Sequence, residues 1–332
     1  MGGASSERNV SLASGFRIVE ALRSRGHDVT PFDPSRGPIT SEMERELSAG
    51  VVGTEPPSLE MLAKVTGGSF LPALERRPEI FEADVVFLGL HGGQGEDGTL
   101  QALLDMAHIT YTGPGHLSSA LAMDKDLSKK LFRVAGVQTA DWLMAPTSVE
   151  EVEAALGFPV VVKPSKQGST VGLTVVKERG HLESAIDEAW LYDDEVMIEQ
   201  FIAGRELTVG VLGDRALPVG EIKPVHEIYD YECKYTVGMA TEEFPAKLST
   251  AQTDLVQQQA LAAFRALKLR GCARIDFRLD TSDDEGSVSG LYCLEANTLP
   301  GMTELSLIPQ GAAATGMSFP ELCEEIVRLA QK

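Results

Sequence analysis

Apolar and polar positions alternate most clearly within residues 272–297, where two apolar runs are separated by a turn-rich stretch. This pattern predicts two antiparallel strands joined by a loop. Side chains alternate along a strand, so Arg274 and Asp276 share one face of the first run. Glu295 and Asn297 share one face of the second. If the two polar faces coincide, one sheet surface carries two carboxylates, an amide oxygen and a guanidinium.

The rest of the chain alternates between helical periodicity and short apolar runs, which indicates an α/β protein. Asp84–Leu90, an apolar run bounded by polar residues, is typical of a buried parallel strand. The other predicted strands are Phe158–Pro164, Val196–Gln200, Glu206–Leu212 and Ala216–Ile222. Predicted helices are Ser11–Arg25, Thr99–Ala107, Ser118–Ala135, His181–Trp190 and Thr250–Leu269. Capping boxes begin at Ser148 and Ser318.

The start of the chain departs from this pattern. Gly2 and Gly3 form a glycine turn that enters the first helix, and such a turn normally follows a strand, yet no strand precedes it. We therefore expect either that the natural start lies upstream or that another element compensates. Residues 36–80 are rich in Pro, Gly and Glu with weak periodicity, which indicates a surface insertion.

Composition narrows the class of protein further. A length of 332 residues predicts two or three domains. The formal net charge of −20 argues against nucleic acid as a partner. The four cysteines are scattered without metal-binding spacing, which favours reduced thiols and a cytoplasmic location. Since no apolar run approaches a membrane span, we expect no membrane partner.

Two features could bind phosphate. A lysine at a strand end, Lys163, is followed by a small, glycine-bearing loop whose N–H groups could hold phosphates; taken alone, a surface loop is the simpler interpretation. Lys125 and Lys129 lie one helical turn apart and by themselves are expected to be solvated. The hard oxygen ligands of residues 274–297 suit Mg²⁺ bound together with phosphates.

Several motifs occur together and in order. They are Ser6–Ser11, Leu90–Gly98, Met123–Lys125, Lys163–Ser169, Ile198–Phe201, Tyr229–Tyr235, Gly271–Asp276 and Leu294–Thr303. With these motifs the chain resembles a D-alanine–D-alanine ligase of the ATP-grasp superfamily over nearly its whole length. The resemblance implies an α/β (α+β) ATP-grasp fold in three domains. These are a substrate domain (1–113), a central subdomain (114–199) and a C-terminal subdomain (200–332), with ATP between the last two.

The resemblance also implies a reaction in two steps. One D-alanine carboxylate attacks the γ-phosphate of ATP and becomes an acyl phosphate, and the amine of a second D-alanine then displaces phosphate. Such a site must neutralise the phosphate charge. A lid must also exclude water from the acyl phosphate. Expected partners are D-alanine, ATP and a second copy of the chain in a homodimer.

On the family's pattern, Lys125 and Lys163 would contact the α/β-phosphates, and Lys234 would reach the γ-phosphate from a closing loop. Glu199 and Glu206 would lie near adenine and ribose. Two Mg²⁺ or Mn²⁺ ions would be held by Asp276, Glu295 and Asn297. The adenine would meet the hinge formed by Glu199, Gln200, Phe201 and Ile202.

The same pattern places the two D-alanines. Glu7 would anchor the first ammonium, and Ser306 would bind the second carboxylate. Arg274 and the Gly301 N–H would stabilise the tetrahedral oxyanion. The residue near the reacting carboxylate would be His91. The hydrogen-bonded set that closes the lid would be Glu7, Ser169 and Tyr235.

Three alternatives remain open. A D-alanine–D-lactate ligase shares most motifs but lacks the Tyr-Asp-Tyr-x-x-Lys-Tyr loop that is present at 229–235. A natural-product dipeptide ligase would alter the acceptor pocket, where Glu7, Tyr235 and Ser306 argue against it. A non-catalytic ATP-binding relative would be expected to lose a metal ligand or Lys234, and this chain keeps both.

Overall fold

A computed structural model describes residues 1–48, 74, 77–229, 231–236, 238–280 and 290–331, without the side chains of Ser48, Tyr231 and Tyr235. Its helices are α1 (Arg8–Ser24), α2 (Ser41–Ser48), α3 (Pro78–Phe81), α4 (Thr99–Met106), α5 (His116–Met123), α6 (Lys125–Val134), α7 (Val149–Ala155), α8 (Leu182–Ala189), α9 (Tyr231–Tyr235), α10 (Thr250–Ala266), α11 (Leu307–Ala313) and α12 (Phe319–Ala330). Its strands are β1 (Phe32–Asp33), β2 (Gly37–Pro38), β3 (Trp142–Met144), β4 (Val160–Pro164), β5 (Thr174–Val176), β6 (Val196–Gln200), β7 (Arg205–Leu212), β8 (Arg215–Ala216), β9 (Gly220–Pro224), β10 (Ala240–Glu243), β11 (Cys272–Leu279) and β12 (Leu291–Asn297).

The largest sheet of the described chain has the order β10-β9-β7-β11-β12, with β8 beside β7. All its pairs are antiparallel. Arg274 lies opposite Asn297, and Asp276 lies opposite Glu295. The antiparallel pair that the alternation predicts is therefore confirmed, with its two polar faces on the same side. Helix α10 packs on the apolar face of this sheet.

A smaller antiparallel sheet, β3-β6-β4-β5, lies in the middle of the chain. Its core combines the buried valines of β4 with Val152 of α7 and Leu182 of α8. The predicted capping box at the start of α7 is present, since the Ser148 hydroxyl accepts from the Glu151 N–H and the Glu151 carboxylate accepts from Ser148. The end of β4 positions Lys163 at the start of the glycine-bearing loop 165–172.

The prediction of a parallel strand over Asp84–Leu90 is wrong in extent. Only Val86 pairs, in a single parallel bridge with Tyr111. A groove of about 1470 Å³ lies along this segment, and its lining also includes Val29–Phe32 and Ile18 of α1. In the described ranges no second strand pairs with the segment, so it is reduced to a bridge.

Some other predicted elements also differ. The helix expected over Ser118–Ala135 is two helices, because Asp124 caps a new one with its side chain accepting from the Leu127 N–H. The short helix α9 lies within the segment expected to be an irregular lid. Most of the predicted insertion, residues 49–73 and 75–76, lies outside the described residues.

The first and last helices meet. Ile18 and Leu22 of α1 pack with Leu322, Cys323 and Ile326 of α12 in one apolar cluster. This packing fixes the N-terminal helix against the C-terminal part of the chain. None of the helices in the described ranges is long and apolar enough to cross a membrane.

Candidate active site

The polar face of β11 and β12 is a hydrogen-bonded set centred on Asp276. Arg274, two residues earlier on the same face, donates from Nε to Oδ1 at 2.9 Å and from Nη2 to Oδ2 at 2.8 Å. Asn297 Nδ2 donates to Oδ2 at 2.9 Å, and Thr208 of β7 donates to Oδ1 at 2.7 Å. Since the Asn297 amide nitrogen faces Asp276, its oxygen is available to a cation.

Negative charge is concentrated beside this set. Desolvation raises the pKa of Glu206; Arg278 lowers it, and Asp276 and Glu295 raise it further. Three carboxylates therefore lie close enough to repel one another. Such a cluster is stabilised by cations.

Three lysines from separate elements converge on Glu295. Desolvation raises the pKa of this carboxyl group, but Lys125, Lys234 and Lys163 outweigh that effect and lower it to about 2. Lys125 Nζ lies 3.4 Å from Glu295 Oε2 and donates to the Gln167 carbonyl at 2.7 Å. The site thus combines lysine ammonium groups with carboxylates, the combination that a metal–phosphate complex requires.

Lys163 is held from behind by a buried ion cluster. Its Nζ donates to Glu199 Oε2 at 2.6 Å, and the other Glu199 oxygen contacts Lys129. Lys129 is 0% exposed and also donates to Thr139 Oγ1 at 2.6 Å. The expectation that Lys125 and Lys129 are solvated is therefore wrong, because both are buried in the interior face of α6.

Glu7, at the start of α1, connects the N-terminal region to the loop after β4. Ser169 Oγ donates to Glu7 Oε1 at 2.5 Å. A Cβ at Gly92 would lie 2.9 Å from Glu7 Oε2, and one at Gly168 would lie 3.1 Å away. The carboxylate therefore fits only because both neighbours lack side chains. Ser169 and Thr170 adopt left-handed φ values of 51° and 59°, strain that is concentrated at functional loops.

His91 lies behind the turn that follows β12. Its Nδ1 is 2.8 Å from the Leu299 carbonyl, and its Nε2 is 3.1 Å from Ser14 Oγ. Burial lowers the pKa of this imidazole, and Glu7 opposes that shift. Gly301, in the same turn, packs so closely on Ser306 that a Cβ would lie 2.7 Å from Ser306 Oγ. Ser306 precedes α11.

A metal ion would find two carboxylates and one amide here. No group of three or more His, Cys, Asp and Glu side chains within the described ranges could hold a metal by itself. The Asp276, Glu295 and Asn297 set fits a hard cation that completes its coordination with phosphate oxygens.

Comparison with known families agrees with this geometry. The family described as "D-ala D-ala ligase N-terminus" matches residues 1–114, and "D-ala D-ala ligase C-terminus" matches residues 125–328. The chain belongs to the D-alanine–D-alanine ligase family. It is 41% identical over 334 residues to the D-alanine–D-alanine ligase of Geobacter sulfurreducens, covering 100% of this chain and 92% of that protein. Identity to the Halalkalibacterium halodurans enzyme of the same name is 39%, covering 100% and 97%.

Solved structures have the same ATP-grasp fold. The D-alanine–D-alanine ligase of Bacillus anthracis complexed with ATP superposes with a TM-score of 0.73 at 29% identity, covering 100% of this chain and 95% of that one. The VanG D-Ala:D-Ser ligase of Enterococcus faecalis gives 0.76 at 28% identity, covering 99% and 97%. The predicted family and fold class are therefore confirmed.

Within the ligase family's predicted site, the structure brings most residues together. The metal set, the three lysines and Arg274 share one region, and Glu7 meets Ser169. The hinge is less open than expected, because the Gln200 N–H donates to Asp141 and the Phe201 N–H donates to Pro159. Of the described hinge residues that follow Glu199, Ile202 is the one whose N–H has no acceptor within the described chain. The Tyr235 side chain lies outside the described residues, so its pairing with Glu7 and Ser169 stays a prediction.

Sequence reasoning missed two residues that support this site and was wrong about a third. Lys129, one helical turn from Lys125, is expected in solvent but is buried. Glu96, whose pKa is raised to about 7 by burial and by Glu7, accepts from the Gly92 and Leu299 N–H groups. Ser14 lies within α1 and carries no motif signal of its own.

Proposed function

We propose that this protein joins two D-alanines into D-alanyl-D-alanine with conversion of ATP to ADP and phosphate, for peptidoglycan precursor synthesis. Membership of the ligase family supports the reaction. The single observation that carries it is the convergence of Lys125, Lys163 and Lys234 on Glu295, opposite Asp276. This arrangement can hold the phosphates of ATP while keeping them reactive toward a carboxylate.

In the first step, a carboxylate oxygen of D-alanine attacks the γ-phosphorus of ATP and the bond to ADP breaks. Glu7 anchors the ammonium of this D-alanine, and Lys125 and Lys163 neutralise the α/β-phosphates. Lys234 approaches the γ-phosphate. Two Mg²⁺ or Mn²⁺ ions, when held by Asp276, Glu295 and Asn297, would neutralise phosphate charge.

In the second step, the amine of a second D-alanine attacks the acyl carbonyl carbon and the carbonyl electron pair moves to oxygen. That pair then re-forms the carbonyl as the bond to phosphate breaks, and the departing phosphate takes the proton that the nitrogen loses. Arg274 and the Gly301 N–H stabilise the oxyanion. Ser306, at the start of α11, binds the carboxylate of the second D-alanine. His91 lies beside the reacting carboxylate. The 226–238 segment closes as a lid, with Tyr235 against Glu7 and Ser169.

The nucleotide base lies between the two ATP-grasp subdomains. Glu206 and Glu199 are on its ribose and adenine sides, and the hinge residues Gln200, Phe201 and Ile202 border the base. We assign the three domains to residues 1–113, 114–199 and 200–332. The protein acts in the cytoplasm as a homodimer.

The test is ATP-dependent phosphate release with D-alanine, L-alanine, D-lactate or D-serine, with the ligation product identified by mass. D-serine is included because VanG, a D-Ala:D-Ser ligase, is a structural relative. D-alanine should stimulate hydrolysis and give the dipeptide, while L-alanine and D-lactate should do little. Equal turnover with D-lactate at neutral pH would reject the assignment.

A further inference from the structure

The turn after β12 is held on both sides of Gly301 by side chains from the N-terminal region. Glu96 Oε1 accepts from the Leu299 N–H at 3.2 Å, and His91 Nδ1 is 2.8 Å from the Leu299 carbonyl. On the other side, the Met302 N–H donates to Ser14 Oγ at 3.1 Å, and Arg17 donates to the Met302 carbonyl at 2.8 Å. Four side chains therefore fix all four backbone polar groups of Leu299 and Met302.

Ser14 is the link between the two sides. Its hydroxyl accepts from the Met302 N–H and lies 3.1 Å from His91 Nε2. Because the Leu299 carbonyl can only accept, the proton of the neutral imidazole is on Nδ1, and Nε2 then accepts from the Ser14 hydroxyl. An imidazole protonated on Nε2 alone would set the Nδ1 lone pair against the Leu299 oxygen. Burial, which disfavours the charged ring, leaves the Nδ1–H tautomer.

Gly301 lies between these fixed points. No oxygen in the described part of the chain accepts from its N–H. The Gly301 backbone packs so closely on Ser306 that an added Cβ would collide with Ser306 Oγ. The backbone therefore has little freedom to move toward Ser306. An N–H held in place without an internal acceptor is the arrangement that oxyanion stabilisation requires.

We propose that Ser14 is a positioning residue for peptide bond formation, aligning the Gly301 N–H by holding Met302 and by fixing the orientation of the His91 ring that holds Leu299. The proposal rests on the proposed function for its catalytic consequence. Ser14 contacts His91 and Met302 rather than the three lysines, so its effect falls on the second step, where the oxyanion forms. The ATP site is left unchanged.

The test compares Ser14→Ala with Ser11→Ala. Both serines are 0% exposed and lie on α1, and Ser11 donates to the Gly89 carbonyl at 2.6 Å rather than to the turn. Alanine favours helix in both, so both variants should fold with similar, small losses in Tm. Only Ser14→Ala should lower dipeptide formation, by about tenfold, because a misaligned donor loses part of the 100-fold or more that an oxyanion donor supplies. Its ratio of phosphate to dipeptide should rise while KM for ATP stays constant.

A second measurement reads the hydrogen bonds directly. In protein labelled with ¹⁵N-histidine, the signals of His91 are those that disappear in His91→Gln. They should show a neutral ring that is protonated on Nδ1. Ser14→Ala should shift the Nε2 signal, because it removes the hydrogen bond that Nε2 accepts, and Ser11→Ala should leave that signal unchanged. Wild-type His91 protonated on Nε2, or equal product ratios in the two variants, would overturn the proposal. If wild type makes no dipeptide, the proposed function fails, and the His91 spectrum still decides the arrangement.

Discussion

At Glu295 the acidity of one carboxyl group depends on lysines from three separate elements, which lower its pKa to about 2. Glu295→Gln removes the charge that balances them and one proposed metal ligand. Activity should fall by about two orders of magnitude or more, as for loss of a group that stabilises transition-state charge. Phosphate release at increasing Mg²⁺ measures this.

The matched control for Glu295→Gln is Glu183→Gln, the same change at an exposed position of α8. Glu183→Gln should keep full activity, and circular dichroism of both variants should match wild type. Near-normal turnover of Glu295→Gln at saturating Mg²⁺ would show that the metal assignment is wrong.

Glu199 gives a pH prediction. Desolvation raises its pKa, but Lys129 and Lys163 lower it to about 2, against 4.5 for the ordinary group. A carboxyl group whose pKa is lower in the folded than in the unfolded protein stabilises the fold, here by on the order of 3 kcal/mol. This stabilisation is fully present above pH 4.5 and is lost as the pH falls toward 2. Glu199→Gln should therefore destabilise strongly at pH 7 and less at low pH.

Urea unfolding of wild type and Glu199→Gln checks this. The difference in unfolding free energy should shrink by about 1 kcal/mol between pH 7 and pH 3.5. A difference that is constant with pH would mean that the carboxylate is not charge-paired in the folded protein. Lys129→Met offers a second comparison, because it leaves Lys163 as the remaining partner of Glu199.

At the scale of elements, the loops around Glu7 give a prediction about glycine. Gly92 (φ +67°) would place a Cβ 2.9 Å from Glu7 Oε2, whereas Gly26 (φ +88°) has open space around it. Alanine should cost about 1–2 kcal/mol of stability at Gly26 through left-handed strain. At Gly92, whose ψ of 167° lies in a region that only glycine normally occupies, it should cost about 1–3 kcal/mol. Only Gly92→Ala should displace Glu7 and raise the KM for D-alanine, by about tenfold.

Steady-state kinetics on Gly92→Ala and Gly26→Ala, with Tm for each, separates strain from site geometry. If the KM for D-alanine rose equally in both, loss of stability rather than the position of Glu7 would explain it. ATP affinity should be unchanged in both, because neither glycine contacts the lysines.

Elements were predictable where a local signal determines them. Alternation places Arg274, Asp276, Glu295 and Asn297 on one face, because the strand period holds whatever packs against it. The split at Asp124 was missed, because a cap inside an apolar periodic run leaves the period nearly intact. Contacts such as Ser14 with Met302 span 288 residues and have no local sequence signal.

At the scale of the whole molecule, packing partners decide whether a predicted strand forms. Asp84–Leu90 has the composition of a buried strand, but composition does not determine whether another strand lies beside it. The Val86 N–H donates to the Thr110 carbonyl, and the Val86 carbonyl accepts from the Thr112 N–H. Alternate residues of an extended chain direct these groups to opposite edges, so Val85 and Phe87 direct theirs toward the groove. The groove therefore exposes an open strand edge, with Ile18 among the apolar residues of its mixed lining.

An apolar strand added before Met1 should enter this groove. We expect a five-residue extension rich in Val and Ile to pair with Val85 and Phe87 and to cover Ile18. Burial of the added side chains, less the cost of ordering them, should raise Tm by several degrees. A Gly/Ser extension of the same length is the control, since it moves the terminus equally but adds no apolar area. Hydrogen exchange should slow at the Val85 and Phe87 amides only with the apolar extension. Equal Tm values and equal exchange for the two extensions would mean that the groove does not accept a strand.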